Sequence, residues 1–178
     1  MSVRVEAPKA LGRLFARMAV LEHIQTMSPE RFLTLYRSLE REGIGPMDGE
    51  VARSLHFRPQ AIRKLPMEQR AKRARTLIES SRNAELAYEI VGGYLMKTCK
   101  ELVTGFLDAT GVQHEDGMIE DVDGAKPAPE KIAAAVEELD RKFSPDDVTL
   151  YLILCSEQWP AEKEFARLLE RRARAPIR

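Results

Sequence analysis

Apolar side chains recur at three- and four-residue intervals along most of the chain, the spacing that gathers them on one face of an α-helix. Two such segments come first, at about residues 8–25 and 29–42. Gly43 follows the second segment, and a glycine there is typical of a left-handed helix cap. Because only a short link separates the two segments, we predict that they form a helical hairpin.

The longest apolar stretch covers residues 83–110, with apolar positions on more than one helix face. A helix with this pattern is usually buried, which places it at the centre of the fold. Gly92 and Gly93 lie inside this stretch, and each glycine lowers the stability of a helix by about 1 kcal/mol relative to alanine. Close packing against another helix explains such a pair, and segment 145–156 is the expected neighbour. A kink in the helix and a ligand pressed onto the bare backbone are the alternatives.

Prolines mark where helices begin, because a proline in the first turn loses no hydrogen bond. Five of the ten prolines suit that position: Pro29, Pro66, Pro129, Pro145 and Pro160. Ser28 and Ser144 place a capping hydroxyl directly before two of them. Segment 148–154 has the residue types of a buried strand, but the cap at Ser144 favours a helix.

These segments predict an all-α protein, a single-domain helical bundle of about seven or eight helices over residues 1–178. Residues 83–110 form its long central helix. A long polar loop covers residues 111–127, and a basic tail covers residues 171–178. A chain of 178 residues has the length of one domain and buries enough surface for a core without disulfides.

The sequence carries no signal for secretion or for a membrane. Residues 1–9 lack the apolar core of a signal peptide. The longest apolar run, residues 148–155, is too short to span a bilayer. Cys99 and Cys155 each lie in an apolar stretch, which indicates two buried thiols. We therefore expect a cytoplasmic protein, and its abundance of alanine and arginine is typical of a GC-rich bacterial genome.

Charge is sorted along the chain, although the formal net charge is zero. Residues 1–82 carry 16 basic and 9 acidic side chains, residues 83–162 carry 6 and 17, and residues 163–178 carry 6 and 2. Oppositely charged segments of one domain usually lie close together in the fold, because they attract each other. The blocks are therefore expected to attract one another wherever the fold brings them together.

The densest group of chemically active side chains lies in the polar loop after residue 112. It contains one imidazole and five carboxylates: His114, Glu115, Asp116, Glu120, Asp121 and Asp123. Because this candidate binding loop follows the negative end of a helix dipole, its charge needs compensation. Solvent with the chain's own basic side chains, a basic protein partner and a bound cation are three alternatives.

Spacing gives no support for a defined metal site or cofactor. An EF-hand beginning at Asp121 requires glycine and glutamate where Lys126 and Ile132 stand. The chain's histidines lack the spacing of a zinc site, and there is no phosphate-binding glycine loop or nucleophile elbow. The sequence therefore predicts no catalytic residue, no metal ligand set and no cofactor.

A basic segment, residues 53–75, could contact phosphates of a nucleic acid together with residues 171–174. Zero net charge and the lack of interleaved aromatic residues argue against that partner. The leading hypothesis is a non-catalytic helical interaction or regulatory protein, with a protein partner or self-association as a homodimer. A metal-dependent enzyme centred on residues 114–123 is the first alternative, and nucleic-acid binding through the basic segment is the second.

Overall fold

A computed structural model describes residues 19–82, 84–120 and 124–174. Of these residues 73% are helical and none lies in a strand, which confirms the all-α class. Their contacts divide them into two compact units, residues 19–98 and residues 99–174. The assignment of the whole chain to a single domain stays a prediction.

The first unit contains six helices within its described residues. The described part of α1 covers residues 19–26. The others are α2 (Pro29–Ser38), α3 (Asp48–Ser54), α4 (Pro59–Arg63), α5 (Met67–Ser81) and α6 (Ala84–Thr98). Helix α2 packs against α5 and α6, and α3 packs against α4 and α5. The largest buried side chains of α2 are Phe32, Leu35 and Tyr36, which therefore fill the core of this unit.

The second unit contains four helices within its described residues: α7 (Lys100–Thr110), α8 (Pro129–Lys142), α9 (Pro145–Gln158) and α10 (Lys163–Arg174). An aromatic cluster forms its core. The Phe106 ring meets the Tyr151 ring edge-on with centroids 5.4 Å apart, and Phe165 lies 6.0 Å from Phe106. Trp159 stacks on Phe165 at 5.9 Å. These rings join α7, α9 and α10, so their burial stabilises the unit as a whole.

The predicted capping serines are confirmed. Ser28 Oγ accepts the N–H of Arg31 at 3.1 Å, and Ser144 Oγ accepts the N–H of Asp147 at 3.1 Å. Prolines occupy the first turn of α2, α8 and α9 as expected, whereas α10 begins at Lys163, three residues after Pro160. Segment 148–154 lies inside α9, so it is helical rather than a strand.

The end predicted for the second helix was wrong. Helix α2 ends at Ser38, and residues 39–47 form a loop before α3. Glu42 and Gly43 both have positive φ, at 50° and 77°, between Arg41 and Ile44, whose backbones exchange two hydrogen bonds. Gly43 is therefore left-handed as expected, but in a two-residue turn instead of a helix cap.

The stretch 83–110, predicted as one long central helix, is divided. Cys99 has φ −113° and ψ 31°, outside helical geometry, and separates α6 from α7. Its carbonyl accepts the N–H groups of Leu102 and Val103, which starts a new helix. This division, with the short helices α3 and α4, brings the number of helices in the described residues to ten instead of seven or eight.

The neighbour predicted for the glycine pair, segment 145–156, belongs to the second unit, so that contact stays a prediction. Within the first unit, a Cβ built on Gly93 meets Leu39 Cδ2 at 3.2 Å, so Gly93 packs closely against the residue that follows α2. A Cβ built on Gly92 meets no described atom within 4 Å. Packing against the described residues therefore accounts for only Gly93.

None of the helices in the described ranges combines the length and the apolar character that crossing a bilayer requires.

Candidate functional site

The predicted acidic loop begins with an ordered turn. Glu115 and Met118 exchange two backbone hydrogen bonds of 2.8 Å. Between them Asp116 and Gly117 have φ of 55° and 91°. Positive φ at both central residues defines a type I′ turn, which Asp-Gly adopts with little strain. The local sequence therefore determines how this part of the loop folds.

His114 connects the turn to the end of α7. Its Nδ1 accepts the N–H of Gly117 at 3.1 Å, and its Nε2 lies 3.2 Å from Asp108 Oδ1. Because Nδ1 is the acceptor, we place the proton of the neutral ring on Nε2, where it donates to Asp108. These two hydrogen bonds occupy both ring nitrogens, and the His114 side chain is only 11% exposed to solvent. His114 is a structural link in this arrangement.

The described carboxylates of the loop are spread over its surface. Asp116 lies 3.0 Å from Lys100 Nζ, and both side chains are exposed. Glu115 and Glu120 are exposed as well. Asp121 and Asp123 lie outside the described residues. Within the described ranges no three His, Cys, Asp or Glu side chains are grouped closely enough to hold a metal ion.

A second surface, which the sequence did not predict as a site, is a groove between α3 and α5. It has a volume of about 670 Å³. Its lining combines apolar, small polar and basic side chains: Val51, Ser54, Leu55, Gln69, Lys72, Arg73, Thr76, Leu77 and Ser80. All of these residues belong to the first unit. We call this surface the α3–α5 groove.

One face of α5 forms the longer wall of the groove. The lining positions 69, 72, 73, 76, 77 and 80 recur at three- and four-residue intervals, so they share one face of the helix. Ala71, Ala74 and Ile78 lie on another face, buried in the core. The buried stripe therefore anchors α5 in the core, and the stripe of lining residues faces the groove. The small side chains of Ser54, Thr76 and Ser80 leave the groove open.

The groove carries positive charge that no described residue neutralises through an ion pair. Lys72 and Arg73 are exposed, and neither forms an ion pair with a described residue. The lining contains no acidic side chain. By contrast, Arg75 on the same helix pairs with Glu79 at 2.7 Å. Exposed, unpaired cations beside an apolar floor are free to meet a ligand's carboxylates or phosphates.

Apolar side chains are exposed where α3 ends. Leu55 lines the groove and is 36% exposed, and Phe57, two residues later, is 57% exposed. His56 between them has a φ of 54°, and the N–H of Phe57 bonds to Ala52 O at 2.8 Å. The backbone that carries these side chains is thus fixed, although the side chains remain in contact with solvent.

A buried polar network joins the two walls of the groove. Arg70 of α5 donates to Asp48, the first residue of α3, at 3.2 Å. Asp48 also accepts the hydroxyl of Tyr36 at 3.2 Å and the N–H of Gly45 at 2.8 Å. A second Arg70 nitrogen donates to Glu40 at 2.9 Å. With Asp48 1% exposed and Arg70 5% exposed, the network fixes α3 against α5.

The pKa values in this network follow from burial and charge. Burial, with the Asp48 carboxylate as the next cause, raises the pKa of Tyr36 well above its usual range. Burial opposes the charge of Arg70, but hydrogen bonds to Glu40 and Asp48 outweigh it and raise the pKa of Arg70. Tyr36 therefore stays neutral and Arg70 stays charged, as a structural network requires.

The basic segment 53–75 thus serves several purposes that its sequence does not separate. Arg70 is buried in the network, Arg75 is paired with Glu79, and Lys72 and Arg73 line the groove. One signal could have revealed the groove: a mixed stripe of apolar, small polar and basic positions on α5 beside a stripe that is apolar except for Arg70. No protein-family model, curated protein or solved structure matches this chain.

Proposed function

We propose that this chain is a non-catalytic interaction protein that binds another protein through the α3–α5 groove. The observation that carries the proposal is the combination, in one open groove, of an apolar floor with two cations that form no ion pair with a described residue. Surface patches of this kind, apolar at the centre and polar at the rim, are typical of protein interaction sites. Leu55 provides exposed apolar surface in the lining, and Lys72 with Arg73 provides its charge.

The groove has little that supports catalysis. Catalytic groups usually have altered pKa values and lie in a cleft together. The described groups with clearly raised pKa values are Tyr36, Arg70, Tyr151 and Cys155, which are buried in the two cores and do not line the groove. The groove lining offers two cations, hydroxyls and an amide, but no general base with its partner.

The apolar floor favours a protein over a nucleic acid. Phosphates would pair with Lys72 and Arg73, but they would leave the apolar surface of Leu55 and Leu77 exposed to water. Single-stranded nucleic acids usually stack their bases on aromatic side chains, and the lining has none. An amphipathic protein segment would satisfy both parts of the surface at once.

Photocrosslinking in living cells tests the proposal. A photoreactive amino acid replaces Gln69, an exposed residue of the lining, and in a control replaces Gln60, an exposed residue outside it. We expect the probe at position 69, and not at position 60, to form a covalent complex with a protein. Adding Leu55→Glu should abolish that complex, because a carboxylate on the groove floor opposes apolar contact.

Each other outcome has a defined meaning. A complex with twice the mass of the chain identifies self-association as the interaction. Equal crosslinking at both positions, crosslinking to nucleic acid, or a complex that survives Leu55→Glu contradicts the proposal. Circular dichroism and thermal melting of the Leu55→Glu variant establish that the first unit remains folded.

A further inference from the structure

We infer that the α3–α5 groove receives an amphipathic helix about three turns long, with carboxylates along the side of its apolar stripe that faces α5. This inference rests on the proposed function and names the chemistry of the partner. Three properties of the groove carry it: the helices that form its walls, the length of the lining stripe on α5, and the charge along that stripe.

The walls determine the conformation of the occupant. Both walls are helices, so their backbone N–H and C=O groups are engaged within the helices themselves. A groove of this kind offers no strand edge that an extended peptide could join through backbone hydrogen bonds. Side chains must make the contact, and a helix presents side chains along one face at the spacing of the α5 stripe.

The length of the stripe determines the length of the occupant. The lining positions on α5 run from Gln69 to Ser80. At about 1.5 Å per residue they span roughly 17 Å, which corresponds to about 12 residues of a second helix lying alongside. Apolar residues of that helix at positions i, i+3, i+4 and i+7 would cover the apolar surface of Leu55 and Leu77.

The charge of the stripe determines the sign of the flanking residues. Lys72 and Arg73 are adjacent, exposed and without an acidic residue in the lining. A basic helix would place like charges beside them, which opposes binding. Carboxylates on the partner would neutralise them, and Arg73 could bind one carboxylate with two parallel hydrogen bonds. An acidic amphipathic helix therefore complements both the floor and the edge.

Two synthetic peptides test this inference directly. Both are 16-residue amphipathic helices with leucine at positions i, i+3, i+4 and i+7, and they differ only in glutamate or lysine beside the stripe. Fluorescence anisotropy measures their binding to the full chain. We expect the glutamate peptide to bind at least about tenfold more tightly than the lysine peptide, and we expect its affinity to fall as salt is added.

Charge reversal provides the decisive comparison. In the double variant Lys72→Glu and Arg73→Glu the preference should invert, so that the lysine peptide binds more tightly. The control variant Arg63→Glu and Lys64→Glu changes the net charge equally at another adjacent pair of exposed bases outside the lining. It should keep the preference of the original chain. Circular dichroism and melting curves show whether each variant is folded.

Several results would overturn the inference. Equal affinity for both peptides, no inversion in the groove variant, or inversion in the control variant each removes the role of Lys72 and Arg73. Competition by a single-stranded oligonucleotide that is lost in the groove variant identifies a nucleic-acid site instead. Dimers that form without peptide and are dissociated by it identify a second copy as the occupant. If neither peptide binds while the position-69 crosslink forms, the proposed function stands and this inference fails.

Discussion

Arg70 Nη1 and Asp48 Oδ2 lie 3.2 Å apart in the interior of the first unit, and this contact joins α5 to the first residue of α3. The two residues are 22 positions apart in sequence, and their side chains are 6% and 1% exposed. Each charge has lost its water, so each depends on the other and on the hydrogen bonds around them. The contact matters for function because α3 and α5 are the walls of the groove.

Removing the carboxylate should therefore be strongly destabilising. In Asp48→Ala the guanidinium of Arg70 keeps Glu40 but loses its buried partner, and the Tyr36 hydroxyl loses its acceptor. We expect a loss of about 3–5 kcal/mol in the free energy of unfolding, measured by urea denaturation. Asp116→Asn, which removes the charge of an exposed pair with Lys100 and keeps a residue type that tolerates the positive φ of the turn, should change it by less than about 1 kcal/mol. Equal effects of the two variants would contradict a structural role for the network.

Two glycines should respond in opposite directions to alanine. A Cβ on Gly45 would collide with the Tyr36 hydroxyl and lie 2.8 Å from Asp48 Oδ1. We expect Gly45→Ala to lower stability by about 1–3 kcal/mol through overpacking. Gly92 lies inside α6, and its Cβ would meet no described atom within 4 Å, so Gly92→Ala should raise stability by up to about 1 kcal/mol. Thermal melting measures whether the melting temperature falls in Gly45→Ala and rises in Gly92→Ala. A lower melting temperature for Gly92→Ala would reveal a close contact at that position.

The acidic loop offers a test of the metal-dependent alternative. The double variant Asp121→Asn and Asp123→Asn removes two of the five carboxylates that crowd this loop in sequence, so its stability in chelator should equal or exceed that of the original chain. Any stabilisation by a divalent cation should disappear with these carboxylates. Melting curves of the original chain and of the double variant, recorded with and without magnesium, manganese, calcium or zinc, measure any such stabilisation. No shift in the original chain eliminates the metal site, and a shift that survives the double variant places it outside the loop.

Both cysteines should be unreactive in the folded protein. Cys155 is 2% exposed, and burial raises its pKa well above its usual range. Cys99 is 7% exposed. Because the thiolate is the reactive form, a raised pKa leaves almost none of it at pH 8. We expect a thiol reagent to modify neither residue until urea unfolds the chain, when it should modify two per molecule. Rapid labelling of the native protein that is abolished by Cys99→Ser would show that Cys99 is accessible.

Local sequence determined most of the helices. Ser28 and Ser144 cap α2 and α9 with the hydrogen bonds that their positions before prolines predict. Segment 148–154 is a helix because the cap outweighs its β-branched residues. The turn at Asp116 and Gly117 likewise follows from two adjacent residues that tolerate positive φ. Each of these features depends on interactions within a few residues, which a sequence displays directly.

Tertiary structure alone decided where helices break and what each charge does. Residues 83–110 look like one apolar helix, yet the backbone leaves helical geometry at Cys99. Arg70 and Arg73 are one turn apart on the same basic helix, but Arg70 is buried against Asp48 and Arg73 lines an open groove. The rotation of α5 relative to α3 separates their roles, because a side chain's partner is set by which neighbouring helix its face meets. That meeting depends on residues far apart in the chain, so no local pattern could reveal it.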